Sequence, residues 1–214
     1  IALAVGLTPQ LLPAIININL SKGSQEMAKH GVIVRRLESI ENFGSMDILC
    51  TDKTGTLTEG VVRLDGALDV NGEPSEKVLL MAYLNASMQT GLANPLDEAI
   101  VSKGAQGAEA YAKVDEIPYD FVRKRLTVVV ARGDSAPCLI TKGALENVLA
   151  VCARVQVGDE EKALDAELRA RIQAEFEAWS AQGYRVLGLA FKEAAGRVHP
   201  FSVTDENGMT LAGF

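Results

Sequence analysis

The chain has 214 residues, 48% of them hydrophobic, and a formal net charge of −7, enough for a sizeable core and one or two domains. The acidic balance and 5% aromatic content argue against a general nucleic-acid binder, which would carry basic patches and stacking surfaces. Three cysteines without a Cys-x-x-Cys pair and two distant histidines give a zinc site, a disulfide framework or a Ser-His-Asp triad little to stand on, so the thiols read as reduced in a cytosolic domain.

Ile1 to Leu20 is almost free of charge, and about 20 apolar residues span a bilayer. It reads equally as a membrane span or as a buried, kinked core helix. Pro9 and Pro13 would break a soluble helix. In a membrane such a break is tolerated where freed carbonyls line a cavity and coordinate an ion, which makes Pro9, Gln10 and Pro13 a candidate ion-binding kink. Lys22, Lys29, Arg35 and Arg36 follow directly, a positive-inside pattern that places this side in the cytoplasm. Val32-Ile33-Val34 predicts a short strand. The chain starts without Met inside an apolar run and stops at Leu211-Ala212-Gly213-Phe214, so it reads as a fragment of something larger.

The apolar run Met46-Asp47-Ile48-Leu49-Cys50 predicts a short buried strand. It leads into Thr51-Asp52-Lys53-Thr54-Gly55-Thr56-Leu57-Thr58. In a parallel α/β sheet, ligands gather outside the carboxyl ends of the strands. A carboxylate at that point, followed by a glycine turn, hydroxyls and a lysine, suits a transferring phosphoryl group. Asp52 is the candidate nucleophile, since Asp forms aspartyl-phosphates.

After Thr58, the alternation of Val62, Leu64, Ala67, Leu68 and Val70 suggests strands closed by a turn at Asn71-Gly72. Ser75 caps a helix to about Met88, and Asn94-Pro95 starts a second, with Asp97 and Glu98 in its first turn. Val114 to Phe121, Leu126 to Val130 and Cys138 to Thr141 read as strands, and Leu145 to Cys152 as a helix. Gly158 to Lys162 reads as a polar loop. Leu164 to Gln182 is an amphipathic helix stopped by Gly183, and Arg185 to Phe191 is a strand. Phe121, Arg123, Arg125, Lys142-Gly143, Arg185 and Asp97 together suit a nucleotide: an aromatic face for the purine, cations for the phosphates and a carboxylate for the adenine amino group. Taken singly, each reads as core, turn or solvated face.

Asp52-Lys53-Thr54-Gly55-Thr56-Leu57-Thr58 resembles the phosphorylation signature of the P-type ATPases. Leu7-Thr8-Pro9-Gln10-Leu11-Leu12-Pro13 resembles the proline-interrupted fourth transmembrane helix of their magnesium-transporting group, with Gln10 where Glu is usual. Asn94-Pro95-Leu96-Asp97, Tyr119 to Arg123, Lys142-Gly143-Ala144 and Gly183 to Leu187 occur in the order seen in that family's nucleotide-binding domain. The resemblance implies that Asp52 attacks the γ-phosphate of ATP, with Lys53 and Thr56 steadying the phosphoryl oxygens and Mg²⁺ on Asp52 and the Thr54 carbonyl. It implies Phe121 on adenine, Lys142 and Gly143 lining the pocket, and Arg123 and Arg185 on phosphate or ribose. The family's Thr-Gly-Glu motif and Gly-Asp-Gly-x-Asn-Asp loop do not occur in these 214 residues.

The expected architecture is therefore the end of a transmembrane helix and stalk over 1–30 and the first part of a haloacid-dehalogenase-like α/β phosphorylation domain over 31–60. An α+β nucleotide-binding domain with an antiparallel sheet follows over 61–205, and a return strand into the phosphorylation domain over 206–214. The expected function is ATP-driven transport of a divalent cation, Mg²⁺ on this resemblance, in an integral membrane protein with cytoplasmic catalytic parts. Two rivals stand beside it: an isolated ATP-binding module without turnover, and a soluble haloacid-dehalogenase-type phosphatase.

Overall fold

The computed structural model describes residues 2–53, 56–57, 61–91, 94–196 and 200–214, with side chains from residue 11 onward. Thr54, Gly55, Thr58 and the side chains of Pro9 and Gln10 lie outside the described residues. The chain divides into two units, 1–60 and 61–214.

In the first unit, α1 runs from Ala2 to Lys29 and a short α2 from Ser39 to Phe43. The helix assignment of α1 continues through Pro9 and Pro13, so the expected break there is not an interruption of the helix. None of the described helices is long and apolar enough to cross a membrane. The predicted strands at Val32–Val34 and Met46–Cys50 do not form, and Ile48 and Leu49 are 78% and 76% exposed. A strand needs a neighbour for its backbone N–H and C=O groups, and no described strand of this chain pairs with either segment.

The second unit is built on a seven-stranded sheet: β1 Tyr111–Asp120, β2 Arg125–Arg132, β3 Cys138–Ala144, β4 Cys152–Val157, β5 Glu160–Ala163, β6 Leu187–Glu193 and β7 Met209–Gly213. The strand order is β1-β2-β3-β6-β7-β4-β5. Every pairing is antiparallel except β4 with β7, which is parallel. The sheet is therefore mixed, a modest departure from the antiparallel expectation. The segment 206–214, expected to return into another domain, contributes β7 to the interior of this sheet. The 61–70 region yields only isolated bridges, Leu68 with Pro74 and Asp69 with Gly213.

Period-two alternation sorts the strands onto two faces. On one, Val128, Val130, Ile140, Leu189 and Phe191 pack with Val78 and Leu84 of α3, Glu76–Met88. On the other, Val129, Leu139, Ala190, Met209 and Leu211 pack with Leu145 and Val148 of α5, Leu145–Leu149, and with Ile172 of α6, Ala166–Ala181. The caps follow the sequence. Ser75 accepts from Val78 N at 3.3 Å, and Asn94 accepts from Asp97 N at 3.0 Å to start α4, Pro95–Lys103. Gly183 adopts φ +91°, the left-handed conformation that ends α6.

Candidate functional site

Asp52, Lys53 and Thr56 are exposed in the first unit. Thr51 Oγ1 donates to the Asp52 carbonyl at 3.1 Å, and Leu57 N donates to the Lys53 carbonyl at 3.1 Å. Among the described residues no group of three or more His, Cys, Asp or Glu side chains is placed to hold a metal. The donors expected around Asp52 are a carboxylate and a backbone carbonyl. These are hard oxygens that suit Mg²⁺, which keeps several waters and accepts one or two protein ligands.

In the second unit, Lys142 and Arg185 line one cavity of about 620 Å³. Its other walls are the segment 61–68, residues of α3 and α4 such as Ala82, Leu96 and Ile100, and the segment 182–189 leading into β6. Lys142 lies on β3, on the face covered by α3 and α4, and is 8% exposed. Its ammonium pairs with the Asp97 carboxylate of α4, itself 6% exposed. Asp97 also accepts from Gln89 Nε2 at 2.8 Å and Asn94 Nδ2 at 2.6 Å. Burial lowers the Lys142 pKa, and the hydrogen bond and charge of Asp97 offset only part of that effect. The Asp97 carboxylate, expected to meet an adenine amino group, is thus occupied by protein donors. Arg185 is exposed and precedes β6 by two residues, where the sequence suggested it would open the strand.

Gly143 of β3 pairs with Arg125 at the start of β2. A Cβ there would lie 2.6 Å from Arg125 Cβ and against the Lys124 carbonyl. The glycine therefore lets β3 approach the turn before β2 closely.

Phe121 and Arg123 are not among the cavity walls. Phe121 sits in the turn after β1, 88% exposed, with Tyr119 edge-on at 5.5 Å. Arg123 is turned to the opposite face of the sheet from Lys142. Its Nη1 donates to both oxygens of Glu206 at 2.8 and 2.7 Å, its Nη2 donates to the Pro118 carbonyl at 2.6 Å, and its Nε meets Asp120. Glu206 has a fully buried side chain and also accepts from Arg125 Nε at 2.8 Å and Thr127 Oγ1 at 2.6 Å. Sequence reasoning missed Glu206. Its only local signal is the acidic pair Asp205-Glu206 before an apolar strand, and such carboxylates normally face solvent. The structure thus brings together Lys142, Asp97 and Arg185, and places Phe121 and Arg123 apart from them.

Comparison with known proteins gives this arrangement its context. The chain is 44% identical over 223 residues to a magnesium-transporting ATPase, P-type 1, of Salmonella typhimurium, an alignment that covers all of this chain and 24% of that protein. It is 41% identical over 219 residues to a magnesium-transporting ATPase, P-type 1, of Escherichia coli, again covering 100% and 24%. It is 28% identical over 235 residues to calcium-transporting ATPase 1 of Lactococcus lactis, covering 100% and 27%. The chain therefore spans about a quarter of the length of the curated relatives it matches. Residues 39–214 match the family described as P-type ATPase, cytoplasmic domain N, and the chain belongs to the P-type ATPase family.

Proposed function

We propose that the second unit binds ATP at the cavity walled by Lys142 and Arg185, and that the longer protein transfers its γ-phosphoryl group to Asp52 to drive cation transport. The observation that carries the nucleotide reading is the convergence of these two cations on one cavity of about 620 Å³, a size within the usual range for ligand sites. Apolar walls such as Ala82, Leu96 and Ile100 suit the ribose, while Lys142 and Arg185 suit phosphate oxygens. Asp97 keeps the buried Lys142 ammonium compensated and aimed. Adenine would stack on the exposed ring of Phe121, which lies outside the cavity walls, and the cavity itself would take the ribose and phosphates.

At Asp52 the carboxylate attacks the γ-phosphorus, the bond to the β,γ-bridging oxygen breaks, and ADP leaves. Lys53 and Thr56 steady the phosphoryl oxygens. Asp52 and the Thr54 carbonyl would hold Mg²⁺, which supplies charge neutralisation when bound. The transported ion is Mg²⁺ on the strength of the two magnesium-transporting relatives. α1 is the cytoplasmic end of a membrane helix in the longer protein, and Pro9, Gln10 and Pro13 are the candidate ion-path residues of its sequence. Gln10 contributes a neutral carbonyl oxygen there.

A second reading applies to these 214 residues alone: they hold ATP without turning it over. The exposed Met46–Cys50 approach to Asp52 favours it, because no described strand pairs with that segment to build it into a sheet. Titrating ATP into the chain by calorimetry, with Lys142→Ala and Arg185→Ala, tests the pocket. Both variants should weaken binding, and bound ATP should shield Lys142 from an amine reagent. No heat of binding at millimolar ATP would sink the assignment. Acid-stable, hydroxylamine-sensitive ³²P label on the chain would exclude the binding-only reading, and turnover of small phosphate esters would favour a phosphatase.

A further inference from the structure

We infer that Arg123 and Glu206 are positioning residues for the β1–β2 turn, acting on the nucleotide through Phe121, and that Arg123 is not a phosphate ligand. The inference rests on the nucleotide reading above and concerns how that site is built.

Four of the five N–H donors of Arg123 are already engaged by the protein. Its Nη1 is spent on both oxygens of Glu206, its Nη2 on the Pro118 carbonyl and its Nε on Asp120. Only 14% of its side chain is exposed. Glu206 is fully buried, so releasing Arg123 would remove its bidentate partner and leave the carboxylate with Arg125 and Thr127. A buried charge that loses a charge-assisted hydrogen-bond partner is strongly disfavoured. The pair is therefore a clamp between the β1–β2 turn and the segment leading into β7, 83 positions away.

The clamp is wired to Phe121. Arg123 holds Asp120, and Asp120 Oδ1 accepts from Val122 N at 2.7 Å and Arg123 N at 2.8 Å. Those bonds close the turn around Phe121. Lys124 completes it at φ +50°, the one non-glycine residue with positive φ among the described residues. A left-handed lysine persists only where surrounding contacts over-determine the backbone. The turn displays Phe121 and Val122, each 88% exposed. An aromatic ring held out in water on a braced turn is ready for a flat apolar partner, with little conformational freedom left to lose on stacking.

The experiment compares affinities of the 214-residue chain for adenosine, AMP, ADP and ATP by calorimetry. The variants are Phe121→Ala, Arg123→Ala, Arg123→Lys, Glu206→Gln and the Arg123→Ala/Glu206→Gln double. Circular dichroism and fitted stoichiometry correct for any unfolded fraction. Base–aromatic stacking is strong enough that Phe121→Ala should weaken every ligand by about tenfold. Arg123→Ala and Glu206→Gln should each weaken all four ligands by one common factor, whatever the phosphate count, and the double should be no worse than the worse single. Arg123→Lys keeps the charge and folds more safely, yet should show the same phosphate-independent loss. A loss in Arg123→Ala that grows from adenosine to ATP, with ATP affinity kept in Arg123→Lys, would overturn the inference. Affinities within twofold of the parent for Arg123→Ala and Glu206→Gln, alongside a loss in Phe121→Ala, would also overturn it. If Phe121→Ala binds as well as the parent, the stacking assignment itself has failed and this inference goes with it.

Discussion

Lys142 carries its charge into the α3–α4 side of the sheet, and the site depends on how that charge is compensated. Removing it leaves Asp97 buried with only the amides of Gln89 and Asn94. Lys142→Met should therefore lower unfolding free energy by about 3–5 kcal/mol in urea titrations. Adding Asp97→Asn should recover part of that loss, because both charges are then gone. Gly143 gives a second expectation at this scale. Gly143→Ala forces a methyl group against Arg125 Cβ and should reduce stability by about 1–3 kcal/mol, read from the same denaturation curves. A purely ligand-facing glycine would tolerate alanine without a stability change.

The connection between α3 and α4 is tied to β1 by Glu116. Its carboxylate accepts from Thr90 N at 3.0 Å and Thr90 Oγ1 at 2.8 Å, and pairs with Lys113. Burial works to raise its pKa, but the bonds from Lys113 and Thr90 outweigh that and hold it below the ordinary 4.5. A carboxylate depressed in the folded state stabilises it fully above its unfolded pKa, and that contribution is lost as pH falls through the folded value. Stability measured by urea denaturation should therefore drop as pH falls below about 4.5. Glu116→Gln should flatten that part of the profile. An unchanged slope in the variant would remove Glu116 as the cause.

At the scale of the molecule, each unit treats its cysteines differently. Cys50 is exposed in the first unit, whereas in the second Cys138 is half-buried and Cys152 buried. Burial pushes the Cys138 thiol up to about 11, with the Glu193 charge adding to it, and pushes Cys152 up to about 12. Thiolate is the reactive form, so a thiol reagent at pH 8 should label Cys50 in the native chain and reach the other two only on unfolding. Peptide mapping of the labelled protein decides it; rapid native labelling of Cys152 would contradict the packed core around it.

Helices α3, α4 and α6 and strands β1, β2, β3 and β6 were legible because their signals are local: Ser75 and Asn94 as caps, Gly183 as a stop, and the apolar, β-branched run Leu126–Val130. β5 was not legible. Its Glu160, Glu161 and Lys162 are all exposed, and a charged edge strand carries no apolar period. β4 was masked by the helix expected to run to Cys152. The phosphorylation heptad and the order of the nucleotide motifs were fully present in the chain, so the sequence alone determined the family and the chemical types in the candidate site. Only the tertiary structure decided the partners: Lys142 with Asp97, 45 positions away, and Arg123 with Glu206, 83 positions away. A charge removed from water must find a counter-charge, and which one it finds depends on strand order and on which face of the sheet the side chain occupies. Spacing along the chain carries neither.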